Sequence, residues 1–402
     1  MRALVISFIP PTLQNGGAIS TYVYQTLAER PASVDVALLT FEHELNDPAL
    51  QTELRLDSYR VLNKNGGITR NLISNFIKLR RLPTAMKYFY PSPQNRKIIR
   101  DLVRDFQPQV VWLYAAWLVD FADLFPGIPV VTSGMDCVSL VWNRMLRRSL
   151  LPDKTGRREK EFREAVQLDR VMAAKSRLVH FLGKPDERVF RRAIAPNCFY
   201  TLFPQGRVVD SNPERFHQSP IRLLVSGSGG NFHSDYMAGE LQECIRSVAR
   251  DCRQLAGRLK VQFAGSDAGD MIDCLRENGI EAEEIKRTHD GENYLQALQQ
   301  ATLLISPLRL GGGGIKTRVL QAMGSGVPVI GSRYSFENIP GQNGEHFFRY
   351  RHPSETGDLV NKAVSDPNRL QAMAERAAQA VAQQNNPVVC SRAFWDKLES
   401  LL

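Results

Sequence analysis

The stretch "SPLRLGGGGIKTRVLQAMGSGVPVIG" begins at Ser306 and holds four consecutive glycines, Gly311 to Gly314, followed by Lys316, Thr317 and Arg318. A glycine run costs backbone entropy, so this one marks a sharp turn or a surface with no room for side chains. The periodic residues after it predict a helix that begins near Gly314. Free N–H groups and the positive end of the helix dipole would then gather there, where anions bind. Lys316 adds a mobile charge in the first turn, and Arg309 adds a planar fork suited to phosphate. First turns favour acids, so two cations at that end are unfavourable unless an anion offsets them. The chemistry this suggests is neutralisation of a phosphate or diphosphate; the competing reading is a plain surface turn. A P-loop is excluded, because Ile315 stands where glycine must precede Lys-Thr, and the dinucleotide fingerprint fails because its third glycine falls on Lys316 or Thr317. Further along the helix, Gln321 shares the face of Thr317 and Arg318, while Val319, Leu320 and Met323 supply the packed side.

The elements that must hold this loop alternate strand and helix. Strand-like runs in the first half are "ALVISF", "VDVALLT", "VVWLY", "PVVTS" and "LVHFL"; those in the second are "IRLLVSG", "LKVQFAG", "TLLISP" and "VPVIGS". They are nearly continuous in apolar residues, as strands buried on both faces are. Helical patterns such as "YLQALQQA" and "KTRVLQAM" lie between them. The expectation is an α/β chain with parallel sheets covered by helices. Its 402 residues suit two domains rather than one core. We place the first domain over 1–205, a polar, proline-bearing linker over 206–219, the second domain over 220–387 and a last amphipathic helix over 388–402.

Ligands of open parallel sheets sit beyond the carboxyl ends of the strands. Glycines cluster at three such ends: Gly16 and Gly17 after the first strand, Gly227, Gly229 and Gly230 after the first strand of the second half, and Gly311 to Gly314. A cleft between the sheets would have glycine-lined backbone on both walls. Asp136 follows a buried strand and is the best first-domain acid for the cleft, a helix cap being its alternative role. His180, inside "LVHFL", reads as a buried strand histidine, and Glu161 and Glu164 read as surface ion pairs of small worth. The six cysteines form no CxxC pair and no Asp-x-Asp stands in a plausible place, so we expect reduced thiols, no metal and no cofactor.

"PLRLGGGGIKTRVLQAMGSGVPVIGSRYSFENIP" resembles the donor-binding segment of group 1 (family 4) glycosyltransferases. "IRLLVSGSGGNFHSDY" resembles the opening of that family's second domain, with Asn231 as its asparagine. "IAPNCF" resembles its Pro-Asn turn, and "FIPPTLQNGGAISTYVYQTL" its N-terminal glycine-pair loop. The resemblance is close over most of 220–385 and holds in outline before that. It implies the GT-B arrangement: two Rossmann-like domains facing across a cleft, a nucleotide-diphosphate sugar held mainly by the second, and a final helix returning to the first. It implies donor contacts at Gly16, Gly17, Gly229, Asn231, Gly312, Gly313, Gly314, Thr317 and Gln321, with Arg309 and Lys316 stabilising the leaving diphosphate, and the family often carries a His or Asp in the region of Asp136. It also suggests retention of anomeric configuration, the departing phosphate helping to remove the acceptor proton. Two departures stand out. The family's paired glutamates are replaced here by Gly313 and Gln321, and the usual Arg and Lys are missing from "SGSGGNFHSD", leaving Arg309, Lys316 or Arg318 to carry that charge.

Net charge is +9, and ten Lys or Arg against the single acid Asp101 fall between Asn63 and Arg104. Interleaved Phe76, Leu79, Leu82, Tyr88 and Phe89 suit either a solvated helix face or a surface resting on anionic lipid. No nucleic-acid-binding pattern is present. No apolar run reaches the roughly 18 residues of a membrane span, and we expect the opening "MRALVISFIPP" to be a buried first strand rather than a signal peptide. A cytoplasmic protein is expected, peripheral on the inner membrane face if the lipid reading holds. The favoured function is sugar transfer to a glycan or lipid-linked acceptor in bacterial surface polysaccharide or glycoconjugate synthesis. The alternatives are a nucleotide-sugar epimerase and a non-catalytic nucleotide-sugar binder of the same fold.

Overall fold

A computed structural model describes residues 1–13, 18–148, 156–206, 209–210, 212–226, 234–265, 267–286, 291–310 and 314–402. Two parallel sheets form the chain. The first contains β1 (Arg2–Ser7), β2 (Asp35–Phe41), β3 (Ser58–Leu62), β4 (Val110–Tyr114), β5 (Val130–Met135), β6 (Leu178–Phe181) and β7 (Cys198–Tyr200), in the order β3-β2-β1-β4-β5-β6-β7. The second contains β8 (Ile221–Ser226), β9 (Leu259–Ala264), β10 (Glu281–Glu284), β11 (Leu303–Ser306), β12 (Val329–Gly331) and β13 (Phe348–Arg349), in the order β10-β9-β8-β11-β12-β13. All pairings are parallel, and β1 and β8 lie next to the point where each strand order reverses. The crevice at such a reversal is where open α/β sheets bind ligands.

The strands form where the sequence is apolar without alternation. Every residue of β4 is buried, as is every residue of β11. The helices between them bury one stripe each. Pro93–Phe106 is typical: Ser92 accepts the Asn95 amide as N-cap, Pro93 sits where its missing N–H costs nothing, and Ile99 and Leu102 face the sheet. The first sheet packs an aromatic core in which Trp112 lies 4.5 Å from Phe394, centroid to centroid. Phe394 comes from the last helix, Pro387–Glu399, whose Ser391 hydroxyl and Trp395 indole both donate to the Thr26 carbonyl at 2.9 Å. The C-terminus thus rests on the first sheet.

Between the sheets the chain crosses twice and the two crossings are tied together. The Gln205 amide donates to the Asn385 carbonyl at 2.8 Å, and the Asn385 side chain donates to the Phe203 carbonyl at 2.9 Å. In the connecting stretch, buried Arg215 donates to the carbonyls of Gln299 and Ser325, each at 3.2 Å. Ser325 closes the helix Thr317–Gly324, so Arg215 pins the C-terminal end of the helix whose N-terminal end meets the cleft. Burial depresses this guanidinium to about 10. Among the described residues no helix is long and apolar enough to cross a membrane.

Candidate active site

The glycine run leads to a helix that starts later than the sequence predicts. It begins at Thr317, with Lys316 as its N-cap residue in a non-helical conformation, φ −93° and ψ 84°. The reason lies in Gly314. Its amide does not enter the helix; it crosses the cleft and donates to the Asp136 carboxylate at 2.8 Å. A Cβ at Gly314 would lie 3.0 Å from the Asp136 Cγ and overlap its Oδ1. This glycine is therefore required by a close approach between domains, not by its freedom in φ. Gly311, Gly312 and Gly313 lie outside the described residues, as do Gly16, Gly17, Gly227, Gly229, Gly230 and Asn231.

Asp136 follows β5 directly, after Met135 at φ 61°. The capping alternative for Asp136 falls to a neighbour: Asp169, buried on the helix Arg157–Lys175, accepts the Ser139 amide at 2.9 Å at the start of the helix Val138–Arg148. A second buried acid, Asp186, accepts the Cys137 amide at 2.9 Å. Asp136 is left to face the second domain.

Opposite Asp136, the Lys316 ammonium curls back to the Gly314 carbonyl at 2.6 Å. Burial lowers its pKa below the ordinary lysine value, against the pull of the Asp136, Glu337 and Asp186 carboxylates. The same burial, reinforced by Asp136, pushes the Asp186 carboxyl well above the usual range. The anion that two cations at this helix end demand is thus supplied in part by the protein's own carboxylates. One further bridge spans the cleft. Arg144, on the helix Val138–Arg148, forms a bidentate pair with Glu337 at 2.7 and 2.8 Å and sits over the Tyr334 ring. Sequence reasoning missed Arg144, Asp186 and Tyr334, which carry no spacing signal. Glu337 stood inside the quoted "RYSFENIP" and was not singled out.

The other second-domain residues divide. Arg318 is exposed and donates to the Ala264 carbonyl, at the carboxyl end of β9, at 3.0 Å, with its guanidinium over Tyr294. Thr317 opens the helix. Gln321 is buried with Val319, Leu320 and Met323 rather than exposed with Arg318. Arg309 lines a cavity of about 920 Å³ beyond the carboxyl ends of β11, β12 and β13; Lys316 is not part of that wall. His180 is buried within β6, bonded to Ser133 and Thr201, each at 2.8 Å, as a structural histidine would be. Glu161 and Glu164 make wide surface pairs with Arg157 and Lys160 at 3.8 and 3.7 Å. None of the six cysteines is in a disulfide.

Two sheets ordered this way and facing across a ligand cleft define the GT-B class of fold, and solved structures share it along their full length. Sucrose-phosphate synthase from Thermosynechococcus elongatus aligns at TM-score 0.67 and 13% identity, covering 100% of this chain and 98% of that one. The Anabaena protein HepE, solved with UDP, aligns at TM-score 0.65 and 14% identity, with 100% of both chains covered. The lipopolysaccharide outer core galactosyltransferase WaaB aligns at TM-score 0.59 and 14% identity, again with 100% of both covered. No curated protein matches the sequence. Residues 245–392 match the sequence model of the family described as glycosyl transferase-like. The second domain carries that family's sequence over residues 245–392, and the chain as a whole has the GT-B fold.

Proposed function

We propose that the protein moves a sugar from a nucleotide-diphosphate donor to a glycan or lipid-linked acceptor, with retention and without a metal. One observation carries this reading: across the cleft, the Asp136 carboxylate meets the Gly314 amide beside Lys316 and the helix N-terminus. A donor diphosphate placed there would exchange the protein's carboxylates for its own oxygens as partners of Lys316. Charge on the leaving group would then be neutralised by a lysine, a helix end and backbone N–H groups fixed in advance. Arg309, expected from the sequence beside Lys316, lines a neighbouring cavity without Lys316 and stands outside this group. The match of solved relatives crystallised with UDP and UDP-glucose supports a uridine donor. Asp136 would shift from the Gly314 amide toward the reacting sugar. In a retaining reaction the departing phosphate takes the acceptor proton, so no separate first-domain base is needed.

A bacterial surface glycoconjugate as product and a membrane-bound acceptor fit the first domain. Its helix Gly67–Leu79 leaves Leu72 and Leu79 exposed at 67% and 84%, and Phe76 at 45%, beside Lys78, Arg80 and Arg81. Such a face suits an anionic lipid surface from the cytoplasmic side. The decisive experiment titrates UDP, GDP and ADP into the full chain and follows products with the matching sugar donors. One nucleotide should bind, and Lys316→Ala should slow turnover at least tenfold with the fold intact. An unchanged rate at saturating donor, or a ligand-bound structure with the nucleotide away from Lys316, overturns the reading.

A further inference from the structure

The 920 Å³ cavity holds more positive charge than a donor site at Lys316 accounts for. Arg309 comes from the turn after β11, Arg333 from the turn after β12, Arg349 from β13, Arg351 and His352 from just beyond it, and Arg147 reaches in from the first domain. Against these five arginines the wall offers two acids, Glu240 and Glu243, leaving three positive charges with the histidine neutral. None of the five is in an ion pair among the described residues, in contrast to Arg144 and Lys260 elsewhere in the chain. Glu240 is only 9% exposed, and burial holds its carboxyl above the ordinary value, which weakens it as a counter-charge. Arginines crowded in a concave wall repel one another and focus a positive field inward. An oxyanion offsets that repulsion, and guanidinium forks match phosphate geometry. A lone carboxylate would leave two of the three charges in place; a phosphate or diphosphate answers most of them.

We propose that this cavity binds a phosphate or diphosphate group on the acceptor, separate from the diphosphate of the donor. The separation rests on the donor reading above, because Gly314, Lys316 and Thr317 are not on this wall. Arg147 makes the site a joint one. Its walls come from both domains, so a phosphate bound there holds the acceptor in the cleft while the cleft is closed. The acceptor is then itself the product of a phosphoryl or sugar-phosphate transfer, carried out before this enzyme acts.

The test uses the full chain in metal-free buffer saturated with UDP and adds inorganic pyrophosphate, read by calorimetry. Wild type should bind one further equivalent. Arg349→Gln/Arg351→Gln, two exposed positions, should weaken that binding tenfold or more and leave UDP affinity unchanged. Absence of the further equivalent in wild type, or equal affinity in the double variant, overturns the proposal. If UDP fails to bind but pyrophosphate binds and is lost in the double variant, the donor reading falls and the cavity stands. Displacement of pyrophosphate by glucose 1-phosphate puts the anion on a soluble acceptor. Displacement only by phosphatidylcholine vesicles carrying phosphatidic acid puts it on a lipid, and displacement by neither overturns the phosphate assignment.

Discussion

His180, in β6, and Asp136, just past the adjoining β5, lie in one sheet's neighbourhood, yet the two make opposite kinds of contact. His180 lies inside β6 with no exposed surface, and each ring nitrogen has a partner from its own domain, Ser133 on one side and Thr201 on the other. Ser133 in turn accepts from the Trp112 indole at 2.8 Å. Every polar group of that chain is paired within the core, and breaking it costs stability. Asp136 stands just past the end of β5, and its partner is a backbone amide of the other domain. Such a bond exists only where the two domains meet. On the proposed function, the difference between a buried network closed on itself and a carboxylate reaching across a crevice is the difference between a fold residue and a site residue.

The comparison breaks most visibly at Gly314. Gly314→Ala puts a methyl group into the space of the Asp136 Oδ1, so the Asp136 carboxylate must turn away from the Gly314 amide or the loop must shift. A misplacement of about 1 Å near the reacting atoms can cost roughly 10²-fold. We expect kcat/KM to fall on the order of 10²-fold by steady-state kinetics, with the melting temperature nearly unchanged. Unaltered kinetics in this variant would mean that the Asp136 contact is irrelevant to catalysis. The Arg144–Glu337 pair should matter less. Its side chains are 17% and 22% exposed, and charge-assisted pairs of that kind contribute about 1–2 kcal/mol. Arg144→Ala and Glu337→Ala should each raise the donor KM about five- to thirtyfold, by the rule that 1.4 kcal/mol is tenfold. Turnover should hold, and the double variant should be no worse than either single one. Additive losses would show that the two residues act on separate parts of the ligand.

What the sequence reveals follows the same division. Every strand read from its apolar run lies inside a sheet, whereas β3, β7, β10 and β13 escape notice, and they are the edges of the two sheets. Edge strands are short and carry charge to discourage further pairing. β10 reads Glu-Ala-Glu-Glu, and its Glu281 and Glu283 meet Lys260 of β9 at 2.8 and 3.0 Å. No periodicity could have found it. The site behaves likewise. That Lys316 and Asp136 both lie at the cleft was legible because each follows a recognisable strand or glycine run. Asp186 and Arg144 sit on ordinary helices, and only the closing of two domains gives them a place beside Lys316 and Glu337. The later start of the helix at Thr317 has the same origin, since nothing local shows that the Gly314 amide is claimed by a residue so far away in sequence.

The other half of the comparison predicts an effect on stability with none on turnover. Burial depresses the His180 pKa to about 3, so the folded protein keeps this ring neutral where an unfolded chain, near 6.5, takes up a proton. Between those values the unfolded state binds the extra proton. The stabilisation from a neutral His180 is therefore present in full above about pH 6.5 and is lost as pH falls toward 3, by at most about 1.4 kcal/mol per pH unit. Asp169 runs the other way. Its buried carboxyl is raised to about 6, so the folded state takes up a proton first, and this offsets part of the loss on acidification below that value. The two are separated by His180→Asn, which removes the first contribution and leaves the second. Denaturant titrations at pH 7 and pH 5 should show the variant less stable at pH 7 yet less sensitive to the drop, by close to one proton. Its turnover per folded molecule at pH 7 should stay within about twofold, for a change that touches no reacting group. A variant that loses activity while keeping wild-type pH sensitivity would move His180 from the core to the site, and the contrast with Asp136 would fail.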